Sequence, residues 1–435
     1  MPIRSVLLSA ACIATLAACA SPSQLPESAG YGPNPTLPEP QTSLLPELNA
    51  RKAVGWPGGR MPVAAQGLKV QAFASGLDHP RWMYRLPNGD ILVAEANAPP
   101  KPDGMGGIRG AVQKQVQKFA GAGVPSANRI TLLRDADGDG VAELKTPFIT
   151  DLYSPFGMAL VGDRLYVANA DAVVSFPYRE GDTRITAAPT KLTDLPGGPR
   201  NHHWTKNIIA SRDGTRLYAT VGSNSNIAEN GMAEEEGRAA IWEINLATGS
   251  KRLFATGLRN PNGMDFEPET GTLWTVVNER DEIGPDLVPD YMTSVRDGGF
   301  YGWPWSYFGQ VVDRRVEPAN PDMVAKAIKP DYGLGSHTAS LGLTFYTADL
   351  MPRYRGGVFI GQHGSWNRRP PSGYKVVFVP FSGGKPAGQP QDVLTGFLDE
   401  RQQAMGRPVG VTVDAKGGLL VADDVGNIIW RVSPA

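Results

Sequence analysis

The chain has 435 residues, a net charge of −1 and 20% charged residues, so no basic excess supports a nucleic-acid footprint. Its 51 glycines and 38 prolines imply frequent turns and argue against a helical fold. The length exceeds what one ordinary hydrophobic core fills.

The chain opens with a targeting segment. Arg4 supplies a positive start and VLLSAACIATLAA a short apolar stretch, too short to span a bilayer as a mature helix. It ends in Leu16-Ala17-Ala18-Cys19, which resembles the bacterial lipobox. The resemblance implies a signal peptide over 1–18 and a lipidated Cys19; a plain signal peptide cleaved after small residues is the alternative. Ala20, not aspartate, follows the cysteine. By that pattern the protein is expected on the periplasmic side of a Gram-negative envelope, lipid-anchored in the outer membrane. Cys12, the other cysteine of the chain, falls in the removed segment, so the mature chain is expected to fold without an internal disulfide. Residues 19–60 contain Pro22, Pro26, Pro33, Pro35, Pro38, Pro40 and Pro46 with little periodic apolar pattern, and are expected to form a semi-extended tether.

From residue 61 to 435 one pattern recurs. NGDILVAEAN (88–97), GDRLYVANAD (162–171), DGTRLYATVGSN (213–224), TGTLWTVVNER (270–280), RGGVFIGQHGS (355–365) and KGGLLVADDVGN (416–427) each read as a turn and then a strand. About ten residues earlier stand DHPRWMYRL, SPFGMAL, RNHHWTKNIIA, RNPNGMDF, HTASLGLTFY and RPVGVTV. Six strand-pair units predict an all-β, six-bladed β-propeller. Two β-sandwiches would need a composition break that the sequence lacks. Residues of about 98–128 interrupt the pattern and predict a surface insertion with a short helical run around Gln113 to Phe119.

Within LLRDADGDGVAEL, Asp135, Asp137 and Asp139 alternate before Gly140, the spacing of a hard-cation loop. Thr146 stands where an EF-hand would place Glu, and Glu143 is the candidate substitute. Structural calcium and an empty acidic turn are both open readings. The loop is expected between the first and second blades, away from the chemistry.

In a propeller the equivalent loops converge on one face. That face is expected to gather Arg81, Phe156, His203, Asn260, His337 and Arg407 from the first strands. The second strands would add Glu95, Asn169, Asn224, Arg280, His363 with Arg368, and Asp423. Most of the five histidines (His79, His202, His203, His337, His363) thus fall near one cavity. Arg259, Arg368, Arg407 and Lys206 outnumber Asp423 and Glu279 there, which suits a compact polycarboxylate guest. No GxGxxG or GxxxxGK[ST] points to a nucleotide, and no HxxEH or CxxC spacing points to zinc.

GLRNPNGMDF (257–266), VNERDEIGPD (277–286), DGGFYGWPW (297–305), GSWNR (364–368) and VADDVGN (421–427) resemble the soluble pyrroloquinoline-quinone (PQQ) sugar dehydrogenases. The sorbosone dehydrogenase-like branch is the nearer one, and the resemblance runs over about residues 65–433. It implies PQQ and Ca2+ as cofactors, a small-molecule sugar substrate and an electron acceptor that the residues do not name. It implies that His203 is the general base and that Arg259 and Asn260 contact the quinone oxygens. Arg407 matches an arginine on a PQQ carboxylate. Arg368 stands where the family has a lysine, Asp423 matches an aspartate beside it, and His337 falls near a hydroxyl ligand. His202 is the neighbour that shapes the pocket. Backbone carbonyls in Arg280-Asp281-Glu282 are implied as calcium ligands. His202 and Ser223 replace two aspartates of the glucose-oxidising relatives, which leaves the base without a carboxylate partner and the choice between His202 and His203 open. A calcium lactonase and a non-catalytic binding propeller share the predicted fold.

Overall fold

The computed structural model describes residues 21–42, 48–100 and 115–435. The leader with Cys12 and Cys19, Pro46 and residues 101–114 lie outside them.

Six sheets follow one another along the chain as six blades, each with four antiparallel strands. The first runs from Pro80–Arg85 through Ile91–Glu95 and Arg129–Arg134 to Leu144–Ile149. The second runs from Met158–Val161 to Thr190–Asp194, and the third from Ile208–Ala210 to Lys251–Thr256. The fourth runs from Pro261–Phe266 to Tyr332–Ser336, and the fifth from Ser340–Phe345 to Gln391–Thr395. The sixth holds Pro408–Val413, Leu419–Asp423 and Ile428–Pro434. Its fourth strand is Leu68–Ser75, so the two ends of the propeller meet in one sheet, with Leu68 opposite Pro434 and Ser75 opposite Ile428.

The recurring strands of the sequence are the second strand of each blade. Ile91–Glu95, Leu273–Val277, Val358–Gln362 and Leu419–Asp423 are buried throughout. Both their faces are covered by neighbouring blades, so they read as unbroken apolar runs, not as alternating ones. An apolar cluster fills each cleft between blades; that between the first two contains Leu92, Leu132, Leu165 and Val167, with Trp82 stacked on Phe156 at 4.9 Å.

The innermost strands of the fourth, fifth and sixth blades carry a glycine for a steric reason. A Cβ on Gly410 would lie 2.8 Å from the Arg81 carbonyl of the next blade, and one on Gly342 would collide with the Val409 carbonyl. Gly342→Ala is therefore expected to destabilise the fold by about 1–3 kcal/mol, the range for overpacking. Urea denaturation checks this; an unchanged midpoint would show that the inner strands can spread.

The segment expected as a tether is not free. Tyr31–Gly32 adds a fifth strand to the fourth blade, opposite Leu334 and Gly333. Just past that segment, Val63–Ala64 adds another to the fifth. Trp56 packs edge-on against Phe397 at 5.5 Å and Trp430 at 5.3 Å. The prolines remove some backbone donors, but the residues between them find sheet edges and aromatic sockets. Of the insertion, residues 115–119 are helical, and the Phe119 carbonyl accepts from the Ala53 N–H; Gln113 lies outside the described residues.

Candidate functional site

In each blade the first strand starts and the second ends on the same face: Pro80 lies opposite Glu95, Ser340 opposite Gln362 and Pro408 opposite Asp423. The loops bearing the histidines open there.

His203 sits in the loop that leads into the third blade. The loop is fixed from behind, because the Asn207 N–H donates to Thr220 Oγ1 at 2.9 Å and Lys206 Nζ reaches both Asn201 Oδ1 and the His203 carbonyl at 3.3 Å. His203 Nδ1 lies 2.8 Å from the Ser223 carbonyl and 3.1 Å from Ser223 Oγ. A carbonyl only accepts, and the Ser223 hydroxyl donates to the Ser225 carbonyl at 2.6 Å. Nδ1 therefore carries a proton, and in the neutral ring Nε2 keeps its lone pair. Burial, then Arg259 and His202, push the His203 pKa well below its ordinary value. His202 is exposed, its ring edge-on to that of His203 with centroids 4.6 Å apart. Asn260 Oδ1 is buried without a hydrogen-bond partner. Gly222 separates Asn260 from His203; a Cβ there would lie 2.5 Å from both Asn260 Oδ1 and His203 Cβ.

Arg259 is buried between loops. It donates to the Glu279 carbonyl at 2.6 Å, to Asn226 Oδ1 at 2.9 Å and to Asp281 Oδ2 at 3.3 Å. Asp281 Oδ1 also accepts from Asn367 Nδ2 at 2.9 Å and lies 3.2 Å from His337 Nδ1. His337 Nε2 faces the Gly284 carbonyl at 3.1 Å. Burial opposes protonation of His337, but the hydrogen bond and charge of Asp281 outweigh it and raise the pKa.

A second cluster joins the fifth, sixth and first blades. Asp424 accepts from His363 Nε2 at 2.9 Å and from Arg81 Nη1 at 2.5 Å, with His79 Nε2 at 3.6 Å. Burial opposes its ionisation, but His363, His79 and Arg81 hold the carboxylate well below the usual range. Burial and Arg407 lower His363 to about 4 against the pull of Asp424. Arg407 donates to the His363 and Gly364 carbonyls at 2.9 and 2.7 Å and lies over the Tyr374 ring at 5.2 Å. Arg81 lies 6.0 Å from the Trp204 ring, which links this cluster to the His203 loop.

Several expected residues are placed otherwise. Asp423 is the strand's last residue and points into the blade: its oxygens accept from Trp56 Nε1, Trp430 Nε1 and the N–H groups of Arg407 and Gly426. Asp424, one residue on, takes the opposite face and is the carboxylate among the histidines. Alternation in VADD was the available signal. Arg368 is buried and turned to Asp286 at 3.2 Å, Ser23 Oγ at 2.6 Å and the Leu25 carbonyl at 2.7 Å. The Asp281 carbonyl already accepts from Asn226 Nδ2 at 3.1 Å and Arg315 Nη1 at 3.0 Å. A guanidinium so close disfavours a cation on that oxygen, so the Asp281 carbonyl does not fit the calcium seat expected at Arg280, Asp281 and Glu282. The Arg280 side chain is fully buried on Glu279 and Asp313. Glu95 is consumed by Arg129 and Thr131. Lys206 is fully buried behind the loop, bonded to Asn201 and the His203 carbonyl, and burial pushes its pKa well down.

Asp135, Asp137, Asp139 and Glu143 do converge, with one carboxylate oxygen of each within 4.8 Å of the others. The loop joins the third and fourth strands of the first blade on the face away from the histidines. It meets the sixth blade through Gln71 and Lys416, not the second as expected.

The residues suit a flat anionic cofactor in kind. Arg259, Arg407 and Arg81 stand around the face with His79 and His363, and Asn260 Oδ1, Asn367 Oδ1 and Arg81 Nε are buried polar atoms without partners.

The family model for glucose/sorbosone dehydrogenase matches residues 163–365, and one described as TrAA12-like matches 312–435. The PQQ-dependent pyranose dehydrogenase of Coprinopsis cinerea is 24% identical over 87% of this chain, which spans 56% of that protein's length. The holo PQQ domain of that enzyme superposes with a TM-score of 0.69 at 22% identity, covering 87% of this chain and 100% of the domain. A calcium structure of a Trichoderma reesei carbohydrate-active enzyme of family AA12 gives 0.70 at 19% identity, covering 89% and 99%. These structures share the fold. With the matched motifs, the comparisons make the chain similar to the glucose/sorbosone and related PQQ-dependent sugar dehydrogenases.

Proposed function

We propose that the protein is a quinoprotein dehydrogenase that oxidises an aldose or related carbonyl sugar, sorbosone-like in class, with His203 as general base. The observation that carries this reading is the Nδ1 contact with Ser223, which leaves a neutral imidazole whose Nε2 is ready to take a hydroxyl proton. PQQ, when bound, supplies the acceptor for the hydride leaving the sugar carbon. Asn260 and Arg259 stand beside the base to bind and polarise the acceptor oxygens, and Arg407 to hold a carboxylate. His202, exposed next to the base, shapes the sugar entrance. Asp281 and Asp424 are both spent in ion pairs, which weighs against a lactonase, whose metal wants free carboxylates. Calcium is assigned to the 135–143 loop, where it stabilises the fold, and no catalytic step depends on it. Lipidation of Cys19 and a periplasmic outer-membrane location complete the reading.

Calorimetric titration of metal-stripped, calcium-refilled apoprotein with PQQ tests it. One-to-one binding that Arg407→Ala weakens is expected, followed by dye reduction with sugars. No binding by folded, calcium-loaded protein would overturn the reading.

The pH profile follows from the His203 shift. Its folded pKa is depressed, so the base stays neutral as pH falls through about 6.5, the free value. The acid limb of kcat/KM is expected below that value; a limb at or above it would assign the base elsewhere.

For the acidic loop, calcium at 100 times its Kd should raise stability by about 2.7 kcal/mol. Thermal melts with calcium and chelator, on the intact protein and on Asp137→Asn, measure this. Identical melts would leave an empty acidic turn.

A further inference from the structure

The N-terminal segment docks on the rim of the site. The Ser23 N–H donates to the Arg369 carbonyl at 2.7 Å, and Ser23 Oγ donates to Asp286 Oδ1 at 2.5 Å. The N–H groups of Gln24 and Leu25 donate to Asp286 Oδ2 at 2.8 and 3.2 Å. Arg368 closes the knot from the other side, bonded to Ser23, Leu25 and Asp286 together. The Gln41 N–H donates to the Ile283 carbonyl at 3.0 Å, and the Asn49 N–H to the Trp366 carbonyl at 2.7 Å. All these anchors belong to loops 281–286 and 364–370. The same loops supply Asp281 and Asn367 to the His337 network.

This docking changes what a lipid on Cys19 would do. A free tether over residues 19–60 would reach about 130 Å in extended form and let the propeller tumble. With Ser23 fixed, four residues remain, and they span at most about 14 Å. We propose that the lipid holds the site-bearing face against the membrane, with the rim of loops 281–286 and 364–370 at the bilayer surface. This rests on the lipid-anchor reading above. Trp366 is 36% exposed on that rim, and an indole half in water suits the headgroup zone. Small sugars would enter from the side. The electron acceptor would meet the rim within or along the bilayer.

The test uses the full-length lipoprotein in vesicles of phosphatidylethanolamine and phosphatidylglycerol carrying a headgroup-level spin-labelled lipid quencher. Cys12 leaves with the leader and Cys19 carries the lipid, so one introduced cysteine is uniquely labelled. Arg369→Cys puts a fluorophore on the rim, and Asp213→Cys puts one on a turn of the opposite face; both positions are exposed. The expected result is strong loss of fluorescence at the rim and none at the turn. Asp286→Ala, which unties the knot, should reduce the rim signal to that of the turn while the melting transition of the propeller persists. Equal quenching at both positions, or none at either, with diacylglyceryl on Cys19 seen by mass spectrometry, would overturn the orientation and leave the anchor intact. An unmodified Cys19 would overturn the anchor itself, and the orientation with it.

Discussion

Replacing His203 with alanine is expected to slow sugar oxidation by about 10²–10⁴-fold, the usual contribution of a positioned base, while PQQ still binds. The imidazole sits beside Arg259 and Asn260 without being a charged anchor, so its loss should fall on kcat. Stopped-flow reduction of bound PQQ by saturating sugar separates that step from binding, and added imidazole should restore part of the rate. His202→Ala, by contrast, removes an exposed ring and should alter KM more than kcat. If His202→Ala is the dead variant and His203→Ala the mild one, the assignment within the pair is reversed. Ser223→Asp gives an independent check. A carboxylate at Nδ1 stabilises the imidazolium, so the acid limb of the profile should move to higher pH.

Trp56→Ala is expected to cost up to about 3 kcal/mol, the low end of the range for a core aromatic, because Trp56 is only half-buried. Trp56 contacts Phe397 and Trp430, and its Nε1 donates to Asp423 Oδ2 at 2.7 Å. Asp423 is buried, and burial already pushes its pKa up to about 6. Losing a donor raises it further, so the loss of stability should be greatest at neutral and alkaline pH, where the carboxylate must stay charged. Trp56→Phe keeps most of the ring and isolates the cost of the hydrogen bond. Urea denaturation measures both; a change under about 0.5 kcal/mol, the scale of an ordinary surface substitution, would mean the segment only rests on the propeller.

The blades were readable because their second strands are covered on both sides. Turn residues followed by unbroken apolar runs, repeated with variable loops, leave few other architectures. His203, Arg259 and Asn260 were readable as a constellation because each opens a first strand or its loop, and register alone brings such positions together. What failed was orientation at strand ends. Asp423 and Asp424 are chemically identical in sequence, and only the pleat decides that the second meets the histidines. Arg368 failed differently: its partners Ser23 and Asp286 lie 345 and 82 residues away, and no local pattern announces such contacts. The N-terminal segment misled because proline content reads as linker, while Tyr31 and Trp56, the residues that bind it down, are too few to form a period.

The closure of the ring has a consequence for biogenesis. Leu68–Ser75 completes its sheet only beside Ile428–Pro434, the last strand of the chain. A polypeptide delivered across a membrane from its N-terminus must therefore hold an unpaired strand edge open until Ile428–Pro434 has crossed. Such an edge invites pairing with other chains. On the exported-lipoprotein reading proposed above, the protein should depend on a holding chaperone, and a tag inserted beside the Ile428–Pro434 strand should harm its yield more than the same tag in the 162–163 turn.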